Sequence, residues 1–320
     1  GISILGVILG GATLRRRARA MRARGVDAES IETALFAPAG ETEPNWWILG
    51  GSAAFVVFIL VMGLGEVAFA QEIIFIGSMA IVLFLMQRLI RELSPDMRGA
   101  LVGTAVIIFI FRAVPLPGPG AIWFEIDILG FDQQFISVLS LITSILALVG
   151  MVMLRPLMTR RSIAYVVALL TIVGGVLSLP NIGLFYGLHE WTAHWSAGIV
   201  DARFIAILDT ALESPLGQVA MIPMLAWIAK NAPKHLKATF FAVMASFTNL
   251  ALSASSLLTK YLNQIFAVTR EVKDRATGVV EANVDYGELG WLLIATAVIG
   301  IAAPLVAIAI IQRTRLRTTQ

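Results

Sequence analysis

Apolar residues in this chain fall in long continuous runs, at about 1–14, 47–66, 71–91, 99–124, 133–154, 162–180, 202–229, 237–260 and 288–312. The runs do not alternate with polar residues, so they are not the strands of a membrane barrel. A helix needs about 20 apolar residues to cross a hydrocarbon core about 30 Å thick, and most of the runs have that length. A helix also satisfies its own backbone in lipid. The first run is too short to cross, and the expectation is that the sequence opens partway through a transmembrane helix. The predicted fold is therefore all-α: a polytopic transmembrane bundle with one partial and eight complete spans.

The polar positions support this count. When the loops are placed on alternate sides of the membrane, eighteen of the 24 Lys and Arg fall on one side, beginning with the cluster Arg15–Arg24 and ending with Arg313, Arg315 and Arg317. Positive residues accumulate on the cytoplasmic side, so the C-terminus is predicted to be cytoplasmic. The arginine cluster reads as this topology signal rather than as a nucleic-acid site, and no nucleic-acid partner is expected. After it, Asp27 is placed to cap a short helix through Phe36, Ala37–Pro44 forms a linker, and Trp46–Trp47 mark an interface. On the other side, Asn181–Val200 is aromatic and should lie along the interface. Tyr261–Leu289 carries mixed charges and suits a short helix or hairpin.

Composition narrows the class further. The chain has 320 residues, 58% hydrophobic and 14% charged, with mean hydropathy +0.84, which excludes an ordinary soluble domain. Cys is 0, which removes disulfides, thiolate metal sites and a cysteine nucleophile. There is no phosphate-loop motif, Ser-His-Asp arrangement or zinc motif, so no cofactor or metal is expected, and the chain does not read as an enzyme. His189 and His194 sit among Trp191 and Trp195 and read as interfacial anchors.

Candidate chemistry lies inside the spans. The run from Gly99 to Phe111 reaches Arg112, about 20 Å along a helix that starts at Arg98 and thus at membrane depth. Pro115, Pro117, Gly118 and Pro119 follow and must break that helix. An intramembrane charge costs roughly 2.5–3.5 kcal/mol or more unless it faces a cavity or partner. Asp209 and Glu213, four apart, share a helix face, with Gln218 beyond Pro215. Arg112 is predicted to pair with Asp209 or Glu213. Ser246 and Asn249 are placed to hydrogen-bond a solute or a neighbouring helix, and Lys260 is expected to snorkel from a helix end.

Two segments carry a resemblance to a known family. Phe111-Arg112-Ala113-Val114-Pro115-Leu116-Pro117-Gly118-Pro119, with Leu129-Gly130-Phe131, resembles the seventh helix of the folate–biopterin transporter family of the major facilitator superfamily. Asp209–Leu250 is similar to that family's tenth and eleventh helices, through Gly217-Gln218, Met221-Ile222-Pro223, Pro233, Ala238-Thr239, Ser246 and Asn249. Glu125 and Glu213 stand where the family carries uncharged residues, and Asp127 where an amide is usual.

The resemblance implies that residues 1–97 are the end of an N-terminal bundle, helices four to six, with a cytoplasmic loop over 15–46. Residues 98–320 would then form a C-terminal six-helix bundle, helices seven to twelve, and helices one to three would be missing partners from the same protein. It also implies a secondary transporter in the plasma (inner) membrane, moving a small organic solute of pterin or folate type by alternating access with proton coupling. Arg112, Asp209, Glu213, Gln218 and Asn249 are the candidate binding residues. The alternative is a membrane-embedded binding or assembly factor, like the pigment-delivery relatives of the superfamily.

Overall fold

The computed structural model describes residues 2–28, 30–31, 46–65, 67–91, 93–154, 156, 161–216, 237–273, 280–314 and 316. The predicted 37–44 linker, the capped helix beyond residue 31, the second half of the 202–229 span with Gln218, and residues 230–236 of the following loop lie outside the described residues. The chain divides after Val67 into two compact units.

The first unit holds α1 (Ile2–Ala23) and α2 (Trp46–Leu64). Helix α1 does not stop where its apolar run ends. It continues through the arginine cluster, where Arg15, Arg16, Arg17 and Arg19 are exposed. Arginine is a good helix former, so the loss of apolar residues changes the helix's solvent and not its backbone. The Asp27 carboxylate accepts from the Ser30 amide at 2.9 Å, as the predicted cap requires.

The second unit, Ala68–Gln320, contains the remaining elements. These are α3 (Ala70–Ile90), α4 (Pro95–Arg112), α5 (Pro119–Asp127), α6 (Gln133–Met153), α7 (Ile163–Phe185), α8 (Leu188–Trp195), α9 (Ala202–Glu213), α10 (Lys237–Ile265) and α11 (Leu289–Gln312). A short antiparallel hairpin pairs β1 (Val272–Lys273) with β2 (Val280–Ala282). Among the described residues, five helices are long and apolar enough to cross a membrane: α3, α6, α7, α10 and α11. The starts follow capping rules. Asp132, Ser162 and Asp201 each accept an amide hydrogen from the first turn of α6, α7 and α9. Pro95 and Pro119 open α4 and α5, where a missing amide hydrogen costs nothing.

Helix α7 runs five residues past its expected end, straight through Pro180. Proline removes one internal hydrogen bond, and a helix at membrane depth has no water to reward unwinding, so it continues. Its close approach to α11 depends on Gly175, where a Cβ would lie 2.5 Å from Ile301. Helix α9 ends at Glu213 in a single 3-10 turn, Ser214–Leu216, that contains Pro215. The main core joins α3, α4, α7, α10 and α11 through Leu89, Leu101, Ile107, Ile108, Val167, Phe240, Met244, Phe247 and Ile311. Phe109 and Phe247 lie 4.9 Å apart between ring centres, locking α4 to α10.

The break between α4 and α5 is as expected, at residues 113–118. Its backbone groups are met by α10. Ser255 donates to the Val114 carbonyl at 2.6 Å, the Leu116 amide donates to the Thr259 hydroxyl at 2.9 Å, and Asn263 donates to the Pro117 carbonyl at 3.2 Å. Gly118 has φ +78°, and a Cβ there would lie 2.9 Å from the Asn263 amide, so only glycine fits.

Three of the six cations on the less basic side are ion-paired among the described residues. Arg203 pairs with Asp132 at 3.0 Å, Lys260 with Glu72 at 2.8 Å and Arg270 with Asp127 at 2.6 Å. Lys260 was expected to snorkel. Instead Glu72, on α3, accepts from both its ammonium and the Tyr261 hydroxyl, because α3 packs along α10 and brings a carboxylate within reach. Asp127 fastens α5 to the segment after α10, receiving two hydrogen bonds from Arg270 and one from Tyr286.

The Arg270 bonds first, then Tyr286, hold the Asp127 carboxyl below the usual carboxylate range. Burial, then the bond to Asp127, pushes the Tyr286 hydroxyl up to about 12. A depressed carboxylate contributes stability above its ordinary pKa and loses it as pH falls through the lowered folded value. Amide exchange at Thr269 and Asp285, which bond each other at 3.0 Å, reports on this tie. Corrected for intrinsic rates, exchange there should be slow at neutral pH and quicken only in acid. Asp127→Asn should show the acid behaviour already at pH 7, and unchanged protection in the variant would refute the role of the tie.

Candidate functional site

The sequence pointed to carboxylates at membrane depth, and the structure shows what surrounds them. Asp209 lies on the inner face of α9 and is 6% exposed. Its Oδ2 accepts from the Asn181 side-chain amide at 2.8 Å, while its Oδ1 is buried with no hydrogen-bond partner among the described residues. Asn181 occupies the turn after Pro180, so the helical continuation of α7 is what delivers it to Asp209. The sequence reading missed Asn181 because it ended the helix one residue earlier. The signal was present in the apolar residues Ile182, Leu184 and Phe185 beyond the proline.

Asn181 also lines a cavity of about 180 Å³ together with Pro117, Phe124, Glu125, Leu184 and Leu289. Its wall therefore comes from the broken segment, α5, α7 and α11. Phe124 is buried against Phe185 and Tyr286, with ring centres 5.3 and 5.7 Å away. Glu125, the next residue, reaches the cavity half-buried, close enough to Asp209 for their charges to repel. Glu213 ends α9 one turn beyond Asp209 and also repels it. Its side chain is on the exposed surface of α9 rather than beside Asn181.

Arg112 is the principal correction. Among the described residues it forms no ion pair with Asp209 or Glu213. Helix α7 packs against both α4 and α9 and supplies the Asp209 partner itself. Arg112 is the last residue of α4, where the helix breaks and its final carbonyls concentrate negative partial charge. That location offsets part of the cost of the guanidinium, although its Nε is buried without a partner among the described residues. Asn249 is exposed on α10 and does not line this cavity, and Gln218 lies outside the described residues. Pro115, Pro117 and Gly118 lie in the gap between α4 and α5, Pro119 opens α5, and Pro117 is in the cavity wall.

Among the described residues, five helices long and apolar enough to cross a membrane, packed with a helix break and a buried carboxylate, define an integral, multi-pass membrane protein of the helical-bundle kind. The model of the BT1 family matches residues 62–319, and the chain belongs to that family of folate–biopterin transporters. A protein of Synechocystis sp. named folate-biopterin transporter is 27% identical over 161 residues, covering 49% of this chain and 31% of that protein. The chain thus spans less than a third of that relative's length. No solved structure matches the chain.

Asp209 and Asn181 form one unit in this site. Asn181→Leu leaves a buried carboxylate without its donor, at a cost of about 1–3 kcal/mol. The unfolding midpoint in detergent should fall accordingly. Asp209→Asn together with Asn181→Leu should recover most of that loss, because the charge is gone. Equal destabilisation in the single and double variants would contradict the pairing.

Proposed function

We propose that this protein is a secondary active transporter of a small polar solute, with Asp209 as the proton-coupling carboxylate beside the solute cavity. The observation that carries the reading is the buried, unpartnered Asp209 Oδ1, bonded through Asn181 to a cavity that Glu125 also lines. A carboxylate at membrane depth with one free oxygen is costly unless it takes up a proton or a donor from a solute. Alternating access of two bundles about this site is part of the proposal, with residues 98–320 as the C-terminal six-helix bundle.

The cargo we propose is pterin- or folate-like, on the strength of the family and of the Synechocystis relative's name. Phe124 offers a flat apolar face, and Glu125 and Asp209 offer acceptors to the donor edge of such a ring. Gln218, Glu213 and Asn249 remain proposed contributors, and Arg112 a proposed counter-charge for an anionic group of the cargo. The proposed location is the plasma (inner) membrane with the C-terminus cytoplasmic, as the clustering of basic residues indicates.

The test is uptake of radiolabelled pterins and folates into vesicles containing the full-length protein, with and without an inward acid gradient. Acid outside should stimulate wild-type uptake. Asp209→Asn should lose that stimulation while still exchanging labelled for unlabelled solute. If Asp209→Asn uptake still follows the gradient, Asp209 is not the coupling group. If no pterin, folate or related organic solute moves at all, the transport reading itself fails.

A further inference from the structure

Helix α10 carries a second feature that the cavity does not use. Ser246, Asn249, Ser253, Ser256, Lys260 and Asn263 recur at intervals of three and four, so they lie on one helix face. The stripe extends roughly 25 Å along the axis, most of a bilayer core. Its first four members are exposed, and Ser246, Asn249 and Ser253 have no hydrogen-bond partner among the described residues. By contrast, the exposed serines of α6 are satisfied internally. Ser137, Ser140 and Ser144 on α6 each bond the carbonyl one turn back. A carbonyl one turn back can take only part of what an amide or an ammonium offers, leaving the amide oxygen and the remaining N–H groups unmet, so both are costly against lipid.

The stripe ends in an open pocket of about 540 Å³. It is lined by Gln71, Ser256, Thr259, Lys260, Asn263 and Gln264, with Pro119 at its edge. Five of the seven lining residues carry an amide or a hydroxyl beyond their apolar stems, with Gln71, Asn263 and Gln264 supplying the amides and Ser256 and Thr259 the hydroxyls. The one ammonium, Lys260, is neutralised by Glu72 at 2.8 Å. The surface is therefore rich in donors and acceptors but close to neutral overall. The opposite side of the helix presents Leu258 instead, 45% exposed and apolar.

We propose that the polar stripe of α10 from Ser246 to Asn263 is one wall of a wet passage for polar solutes, opening into the pocket beside Lys260. The inference rests on the transport reading for what travels there, but the stripe itself is a claim about water. The wall selects for hydrogen-bonding capacity rather than for charge, since Lys260 and Glu72 cancel. Freeing Lys260 from Glu72 converts the mouth into one that favours anions.

This chain contains no cysteine, and any that the full-length protein carries outside it is replaced by serine, so each label reports one position. Asn249→Cys, Ser253→Cys, Ser256→Cys and Leu258→Cys are made in the full-length protein in vesicles. Each is treated with membrane-impermeant anionic and cationic methanethiosulfonates. The three stripe positions should react at least about tenfold faster than position 258, because a thiol in lipid stays protonated and unreactive. The two reagents should react at comparable rates. Adding Glu72→Gln should speed the anionic reagent relative to the cationic one at position 256. Slow labelling at 249 and 253, matching 258, would overturn the proposal and make the stripe a dry packing seam. A charge preference unchanged by Glu72→Gln would overturn the role of the pair. Reactive stripe positions in vesicles that take up no solute would refute the transport reading and leave the wet wall standing.

Discussion

A broken helix inside a membrane must have its exposed backbone groups met by protein, because lipid offers no donor or acceptor. Here three side chains of α10, one turn apart, do this for residues 114–117. Ser255 takes the Val114 carbonyl, Thr259 receives the Leu116 amide and Asn263 takes the Pro117 carbonyl. The three prolines in and beside the gap reduce the task, since each removes a donor that would need a partner. Gly118 completes the turn because its φ and its closeness to Asn263 both exclude a side chain. This ladder fixes the direction in which the chain restarts as α5.

The cavity follows from that direction. Helix α5 places Phe124 and Glu125 on its wall, and its far end is fastened by Arg270 and Tyr286 to Asp127. Helix α7, running through Pro180, brings Asn181 to the same wall and to Asp209 behind it. One helix, α10, thus supports the break with one side and presents the polar stripe on another. Asn263 belongs to both.

The fold was largely legible in the sequence because hydrophobic runs of membrane length leave few alternatives. The helix break was equally plain, since Pro115, Pro117, Gly118 and Pro119 cannot continue a helix. What the sequence could not show was pairing. Arg112 and Asp209 looked like partners by depth, but depth says nothing about which helix lies between, and α7 does. Pro180 looked like a terminus, and the membrane environment kept the helix going. Glu125 stood out as an unexpected charge, yet its place in the cavity wall depends on the restart of α5, a three-dimensional fact. Lys260 looked like an isolated cation because its partner, Glu72, is nearly two hundred residues away in the chain.

The central claim is that the α10 side chains hold the broken segment and so aim α5 at the cavity. The direct measurement is a distance distribution, by pulsed electron paramagnetic resonance, between spin labels at the exposed positions Ile122 on α5 and Phe241 on α10. It is taken with the native ladder and with Ser255→Ala, Thr259→Val and Asn263→Leu combined. Leaving these backbone groups unmet costs about 1–3 kcal/mol each. The account predicts a single narrow distance with the native ladder and a broad or displaced one in the triple variant. An unchanged narrow distance in a folded triple variant would show that the break holds its shape without α10.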